Sequence, residues 1–377
     1  MATPIAEELL FDVGVAVLDS NVPKSYDDQV ALNIPPEVRR AEANFIPFQL
    51  KNLLTSTGNW GAVRVLPRPS LAVDVVIAGR ILHSDGERLV LQVSVSDARG
   101  ILWFDRVYES LASKFAYQSG VPSGIDPFQG MYVRIADDML AHSETLTVEE
   151  REDIRLTTLM RFARYFLPDA FSTHLSESAD GEFTVTRVAS EDDPSLARVR
   201  EVREREYIFI DTLDEYYGRF AEDMIGPYQH WRSNTFSEAI MYRQQREFAR
   251  TRLIASTAMI LSGAVMQRST NQWIELAGYT NVVGGADEFV RSFKSREAAK
   301  IHSETLIELG VSAEAEIIPH TIELENEVLT LTGTVEEQYA QVRTVLRRLY
   351  FEDLGLPMSE DESTEPEAAS VSDDGQE

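Results

Sequence analysis

The chain has 377 residues, 44 % of them hydrophobic, and its 62 Asp and Glu against 35 Lys and Arg give a formal charge of −27. That length allows two or three domains with a sizeable core, while so acidic a chain makes a poor partner for nucleic acid, which is bound by neutralising phosphates with basic side chains. The absence of cysteine excludes disulfides, thiol catalysis and thiolate metal sites together.

The amino-terminal run MATPIAEELLFDVGVAVL has no basic segment and is interrupted by Asp12, so it does not read as a signal peptide. A form trimmed from an exported precursor before Ala2 would read the same way. Phe11 to Asp19 reads as a buried strand. A helix is expected from about Glu37 to Thr57, with Val38, Ala41, Phe45, Leu50 and Leu54 near helical spacing and Gly58 placed to end it. Pro47 lies inside that run and predicts a kink or a break. Ala62 to Leu66 is a short strand.

The stretch Val73 to Tyr108 carries the most legible local code and predicts three consecutive strands. Asp85-Gly86 supplies the backbone freedom of a tight hairpin, and Leu89, Leu91, Val93 and Val95 then alternate with smaller or polar residues. A second turn at Asp97-Ala98-Arg99-Gly100 leads into Ile101-Leu102-Trp103-Phe104. The order β-α-β-β-β-β places one helix over a mostly antiparallel sheet.

The strand VAVLD, the helix end LLTSTGNWGAVRVLP, the strand VDVVIAGRI and the pair VLQVSVSDARGILWF resemble the sheet-and-helix domain of several envelope lipoproteins. Among these are the curli-secretion lipoprotein, the amino-terminal domain of TolB, and lipoprotein activators of penicillin-binding proteins. The Asp97 to Trp103 turn is similar to their Asp-x-x-Gly-x-hydrophobic-Trp hairpin. The resemblance covers the first third of the chain and implies a periplasmic or outer-membrane setting, a protein partner and no catalysis.

Glycines and prolines between Ser110 and Gly130 suggest a boundary. Helices are expected at Met131 to His142 and Thr147 to Leu167, the second opened by a Thr147/Glu150 capping box, with a short strand at Phe183 to Val188. Asp193-Pro194 starts another helix, whose Leu213, Tyr217, Phe220 and Met224 share a seam. Gly226-Pro227 is read as its end, and Thr235 to Glu238 as the capping box of a second long helix reaching about Gln267. Asp211, Asp214 and Glu215 read as a solvated acidic face.

Within that second helix Arg243, Arg246, Arg250 and Arg252 form the densest positive stretch of an acidic chain. They read either as a solvated face or as a dock for an acidic partner, an anionic lipid surface or the chain's own tail. Leu253 to Met266 is free of charge and rich in small residues, including Ala255, Ala258, Ser262 and Gly263. It is shorter than the ~20 residues that span a bilayer. It reads as a closely packed buried helix or as a face for self-association.

After Gly284-Gly285 the pattern is helix from Ser295, hairpin from Ile317 to Val335 about Glu325-Asn326-Glu327, and a last helix with Tyr339, Val342, Leu346 and Leu349 inward. Arg343, Arg347 and Arg348 fall near its negative end. The run VLTLTGTVEEQYAQVRTVLRRL resembles a BON domain, a small envelope module that attaches to membranes or proteins. It departs from that pattern in Asn326, where the hairpin glycine is usual, and in lacking a third strand.

The fold class expected is therefore α+β: a sheet-and-helix domain over 1–115, a helical region over 116–290, a small α-β-β-α module over 291–357 and a disordered acidic tail over 358–377. The six histidines show no metal spacing, Gly120-Val121-Pro122-Ser123-Gly124 misses an esterase elbow by one position, and no phosphate loop occurs. No cofactor and no catalytic residue is expected. The expected function is a non-catalytic envelope scaffold, and the partners expected for it are another protein, a second copy of the chain and a membrane surface reached through a lipid anchor. The alternative is a cytosolic enzyme or ligand-binding protein with a pocket near His230, Trp231 and Arg232.

Overall fold

A computed structural model describes residues 6, 9–32, 34–117, 125–190, 192–262, 321–324, 327–331 and 335–353. The fold is α+β. Five strands, β1 (Val13–Ala16), β2 (Val63–Leu66), β3 (Val75–Ser84), β4 (Arg88–Asp97) and β5 (Leu102–Leu111), form one sheet in the order β2-β1-β3-β4-β5. The two long ladders, β3 with β4 and β4 with β5, are antiparallel; β1 runs parallel to both of its neighbours. Pairing is thus mixed, because the chain returns from β1 to β2 through a helix rather than a hairpin.

That helix, α2 (Pro36–Thr57), follows a short α1 (Tyr26–Ala31) and ends at Gly58, whose φ of 66° is the left-handed conformation that glycine adopts without penalty. It continues unbroken through Pro47. A proline leaves the carbonyl four residues earlier without its helical donor. Here that carbonyl, Ala43 O, accepts from Leu18 N–H at 3.0 Å, so the residue just after β1 takes the bond that the helix gave up.

The Asp97 to Trp103 turn has a compact physical basis. The Asp97 carboxylate accepts from Arg99 N–H, from the Arg99 guanidinium and from Trp103 Nε1 at 3.1 Å, while Gly100 sits at φ 82°. The indole of Trp103 stacks on His142 with centroids 4.6 Å apart. Burial of that imidazole pushes its pKa down.

Beyond the sheet come α3 (Gln129–Ser143), α4 (Val148–Phe166, with both bonds of the Thr147/Glu150 capping box), the one-turn α5 (Pro168–Phe171) and a small hairpin of β6 (Leu175–Glu177) and β7 (Phe183–Val185). Then α6 runs from Pro194 to Ser262, 69 residues and ~100 Å at the usual rise. The expected break at Gly226-Pro227 and new cap at Thr235 are both absent. Thr235 lies inside the helix and its hydroxyl donates to the Arg232 carbonyl. A mid-helix proline costs ~3 kcal/mol. Met224, Tyr228 and Trp231 around it are buried, and large apolar side chains contribute ~1.5–3 kcal/mol each on burial, so packing outweighs the local signal.

The described part ends with the hairpin β8 (Thr321–Leu324) and β9 (Glu327–Thr330) and with α7 (Val335–Asp353). The helix expected from Ser295 and the acidic tail lie outside the described residues. Two apolar cores result. One packs α2, α3 and residues 221–231 of α6 against Val13, Val15, Ile77, Val93 and their neighbours on the sheet. The other joins Leu66 and Val73 to α4, to residues 196–217 of α6 and to Tyr339, Val342 and Leu346 of α7. α6 therefore passes from one core to the other along the β2 edge. Among the described residues no helix is long and apolar enough to cross a membrane.

Candidate functional site: the clamps that seat the long helix

Three polar clamps fix α6 along its length. The first lies where α6 passes β2. Arg203, Tyr207, Asp211 and Asp214, at spacings of four, four and three, form one helical stripe. Arg203 and Tyr207 both donate to the Ala72 carbonyl, at 2.9 and 2.5 Å. Asp211 takes Arg64 in a two-point bond of 2.5 and 3.3 Å. Asp214 accepts the outward N–H of Val65 at 3.0 Å and the Lys51 ammonium at 2.7 Å. Asp214 is thus not part of a solvated acidic face but supplies the acceptor that a neighbouring strand would have supplied. Asp74 sits next to this stripe, accepting from Asp12 N–H and from the Thr158 hydroxyl. Burial raises its pKa above the ordinary carboxylate value, against the pull of those bonds and of Arg203.

A second clamp joins α6 to α7. The Tyr339 hydroxyl donates to Glu206 Oε1 at 2.6 Å and meets Ser70 Oγ at 2.8 Å, with Arg343 Nε 3.6 Å from the same carboxylate. Burial and the Glu206 charge hold the Tyr339 phenol well above its usual pKa. Arg343 and Arg347 are buried and lie over the Tyr165 ring, at 4.3 and 5.2 Å. Sequence position placed them toward the negative end of the last helix; tertiary packing also makes these two arginines part of the seam.

The third clamp is the richest in charge and stands at the root of the 243–262 segment. Glu42, on the buried face of α2, accepts from Ser84 at 2.5 Å and from Tyr228 at 2.6 Å through Oε1, and lies 3.4 Å from Arg39 Nε through Oε2. Arg39 also donates to Ile81 O, at a bulge in β3 where the register slips. One turn further along α6, Arg232 bonds Asp126 at 2.9 Å, with both side chains 4 % exposed, and lies 4.0 Å over the Tyr228 ring. Burial opposes the Arg232 charge, but Asp126 outweighs it and the guanidinium pKa is raised. Burial, with Glu42 beside it, pushes the Tyr228 phenol well up.

The tip of the β3–β4 hairpin closes the same clamp from the other side. Asp85 accepts from Glu87 N–H and Arg88 N–H and meets His83 Nε2 at 2.8 Å. Although burial works to raise the Asp85 pKa, these bonds lower it. Gly86 presses directly on the helix: a Cβ there would lie 2.2 Å from Arg232 O and 2.5 Å from Thr235 Oγ1. Beside it, buried Glu87 grips Arg243 through two bonds of 2.7 and 3.0 Å.

Glu42, Asp74, Asp85, Glu87, Asp126, Asp211 and Asp214 are each held by two or more donor groups, whereas Glu206 takes Tyr339 on Oε1 and its buried Oε2 has no hydrogen-bond partner among the described residues. Among the described residues no group of three or more His, Asp or Glu is arranged to hold a metal ion. The chemistry the arrangement supports is mechanical, the fixing of one helix against a sheet.

Of the residues expected to bind a partner, Arg243 is placed in the third clamp, on the chain's own Glu87. Arg246, Arg250, Arg252, Ala255, Ala258 and Ser262 follow on the same continuous helix; Gly263 lies outside the described residues. Of the residues suggested for an alternative pocket, Trp231 and Arg232 are buried in the clamp, whereas His230 is on the exposed side of α6. Glu42, Ser84, Glu87 and Asp126 were not anticipated. Glu42 did leave a signal, since it shares the Val38–Ala41–Phe45 face and a charge on an apolar stripe implies a buried partner. Comparisons with protein-family models, with curated proteins and with solved structures found no match.

Proposed function

We propose that this chain is a non-catalytic docking protein whose α+β body holds α6 as an arm, and that the segment from Arg243 to Ser262 engages a protein partner or a second copy. The single observation behind this reading is the seating of an uninterrupted 69-residue helix by three separate clamps, the last of them at the root of that segment. An ion pair as buried as Arg232–Asp126 is a costly way to gain stability and is better suited to fixing geometry, which is what an arm requires. The envelope setting, periplasmic and associated with the outer membrane, is part of the proposal and rests on the resemblances of the sheet domain and of the carboxyl-terminal module. A partner surface is proposed, with no cofactor.

Site-specific photo-crosslinking tests the arm. A benzophenone side chain introduced at Ala258 in the producing cells is expected to give a discrete higher-mass adduct. Ala255→Leu, which enlarges a small residue on the same segment, is expected to remove the adduct while leaving thermal melting of the purified protein unchanged. No adduct at any position from Arg246 to Ser262 would exclude the docking role, and recovery of the protein in a cytosolic fraction would exclude the envelope setting.

A further inference from the structure

The two edges of the sheet are treated differently, and the untreated one has the properties of a binding site. β5 is an edge strand of ten residues, and among the described residues no strand pairs with its outer side. The phase of its backbone follows from two bonds. Ala112 N–H bonds inward to Glu87 O, and Glu109 O accepts outward from the Arg134 side chain. Phe104, Arg106, Tyr108 and Ser110 therefore spend their backbone groups on β4, whereas Asp105, Val107, Glu109 and Leu111 direct theirs outward.

Natural edge strands are commonly blunted by lysine, proline or a bulge. β5 has no lysine and no proline, and its bulge lies at the Trp103 end, leaving 104–111 regular. The side chains of the outward row stand on the open face of the sheet, where Val107 is 61 % and Leu111 53 % exposed. They alternate with two acids that are held in place, Asp105 by Gln92 and Glu109 by Arg88.

We propose that β5 accepts an added strand from a partner protein, an extended segment in which aliphatic and basic residues alternate at every second position, along one face. The aliphatic residues would lie beside Val107 and Leu111 and the basic ones opposite Asp105 and Glu109, the cross-strand pairing that stabilises sheets. A second copy of the chain fits less well. Antiparallel self-pairing about Val107 sets Asp105 against Glu109 twice, and pairing about Arg106 sets that arginine against itself. Among the described residues Arg134 is the one side chain bonded to the outward backbone of β5, and, being exposed, it must swing off Glu109 O when a strand docks.

The test uses the full chain and a fluorescein-labelled synthetic peptide of Lys-Thr-Val-Thr repeats, which alternates lysine and valine along one face of a strand, read by fluorescence anisotropy. Saturable binding is expected, with none by the matching glutamate–valine peptide. Val107→Pro deletes an outward donor and no bond to β4, so binding should fall about tenfold or more, the equivalent of one backbone hydrogen bond, with melting unchanged. If that variant is destabilised, the double variant Asp105→Lys, Glu109→Lys replaces it and should transfer preference to the glutamate–valine peptide. Arg134→Ala should bind more tightly than the parent. The proposal is overturned if neither the parent nor Arg134→Ala binds, if Val107→Pro binds as well as the parent, or if Val107→Pro abolishes a concentration-dependent dimer, which would make the occupant a second copy.

Discussion

At the β2 edge, α6 lays down a stripe of side chains whose acceptors and donors match the backbone groups it covers: Asp214 for Val65 N–H in the strand and, in the turn beyond it, Arg203 and Tyr207 for Ala72 O. At the β5 edge, four residues present their backbone outward and, among the described residues, a single arginine side chain attends to one of them. Both strands are bound to the sheet on their inner sides, the short β2 to β1 and the longer β5 to β4. The difference is what lies beyond them, and it shows that a helix can finish a sheet edge when its polar residues fall at helical spacing opposite the strand.

The comparison extends to how each region responds to damage, beginning with the largest effect. Removing Asp126 from the clamp on α6 leaves Arg232 charged and buried, so Asp126→Ala should cost ~3–5 kcal/mol; a lower urea midpoint with unchanged slope measures it, and a loss below ~1 kcal/mol would show that water enters the clamp. Gly86→Ala follows. Its Cβ meets backbone rather than a flexible chain end, so the hairpin tip must lift, at ~1–3 kcal/mol, and hydrogen exchange near Arg243 should quicken.

Asp214→Ala strips the β2 edge of its acceptor, with an expected loss of ~1–3 kcal/mol and, because an uncovered edge invites pairing, faster growth of light scattering on mild heating. The matching change on the other edge, Val107→Lys, should stay within ~0.5 kcal/mol of the parent. Equal effects at the two edges would refute the distinction between them.

Asp74 offers a test by pH. Its folded pKa is raised, so the folded chain holds this proton more tightly than the unfolded chain does; the associated stability is present below the ordinary carboxylate pKa and is lost as pH rises through the folded value. Asn can keep both bonds, accepting from Asp12 N–H and donating to Thr158. Asp74→Asn should therefore be more stable than the parent at neutral pH, with the gap closing on acidification. A gap that widens in acid would reverse the assignment.

Most local codes in the chain held where one residue decides the outcome for its own neighbours; the capping box expected at Thr235 did not, because α6 runs through it. Gly58 ends α2, Thr147 and Glu150 cap α4, Pro194 opens α6, and the Asp85 and Asp97 turns stand where they were expected. Glycine conformations, caps and turn side chains act over three or four residues, so they are visible in the text. Breakers acted differently. Pro47 and Pro227 carry a strong local penalty, and both sit inside helices because something distant offsets it, Leu18 N–H for the first and buried aromatic residues for the second.

The candidate site divides along the same line. Arg243 was legible as part of a basic cluster, but its partner Glu87 is 156 positions away, and Asp126 is 106 positions from Arg232. Helical spacing can say that Arg203, Tyr207, Asp211 and Asp214 share a stripe; it cannot say that a strand edge runs beneath them. What the sequence by itself determined is the α+β alternation, the turns, the caps and the inward faces of strands and helices, since each follows from period and local sterics. Tertiary structure alone decided that α6 continues as one helix, that it closes one edge of the sheet and leaves the other open, and which charges are buried together, because those outcomes depend on contacts between segments far apart in the chain.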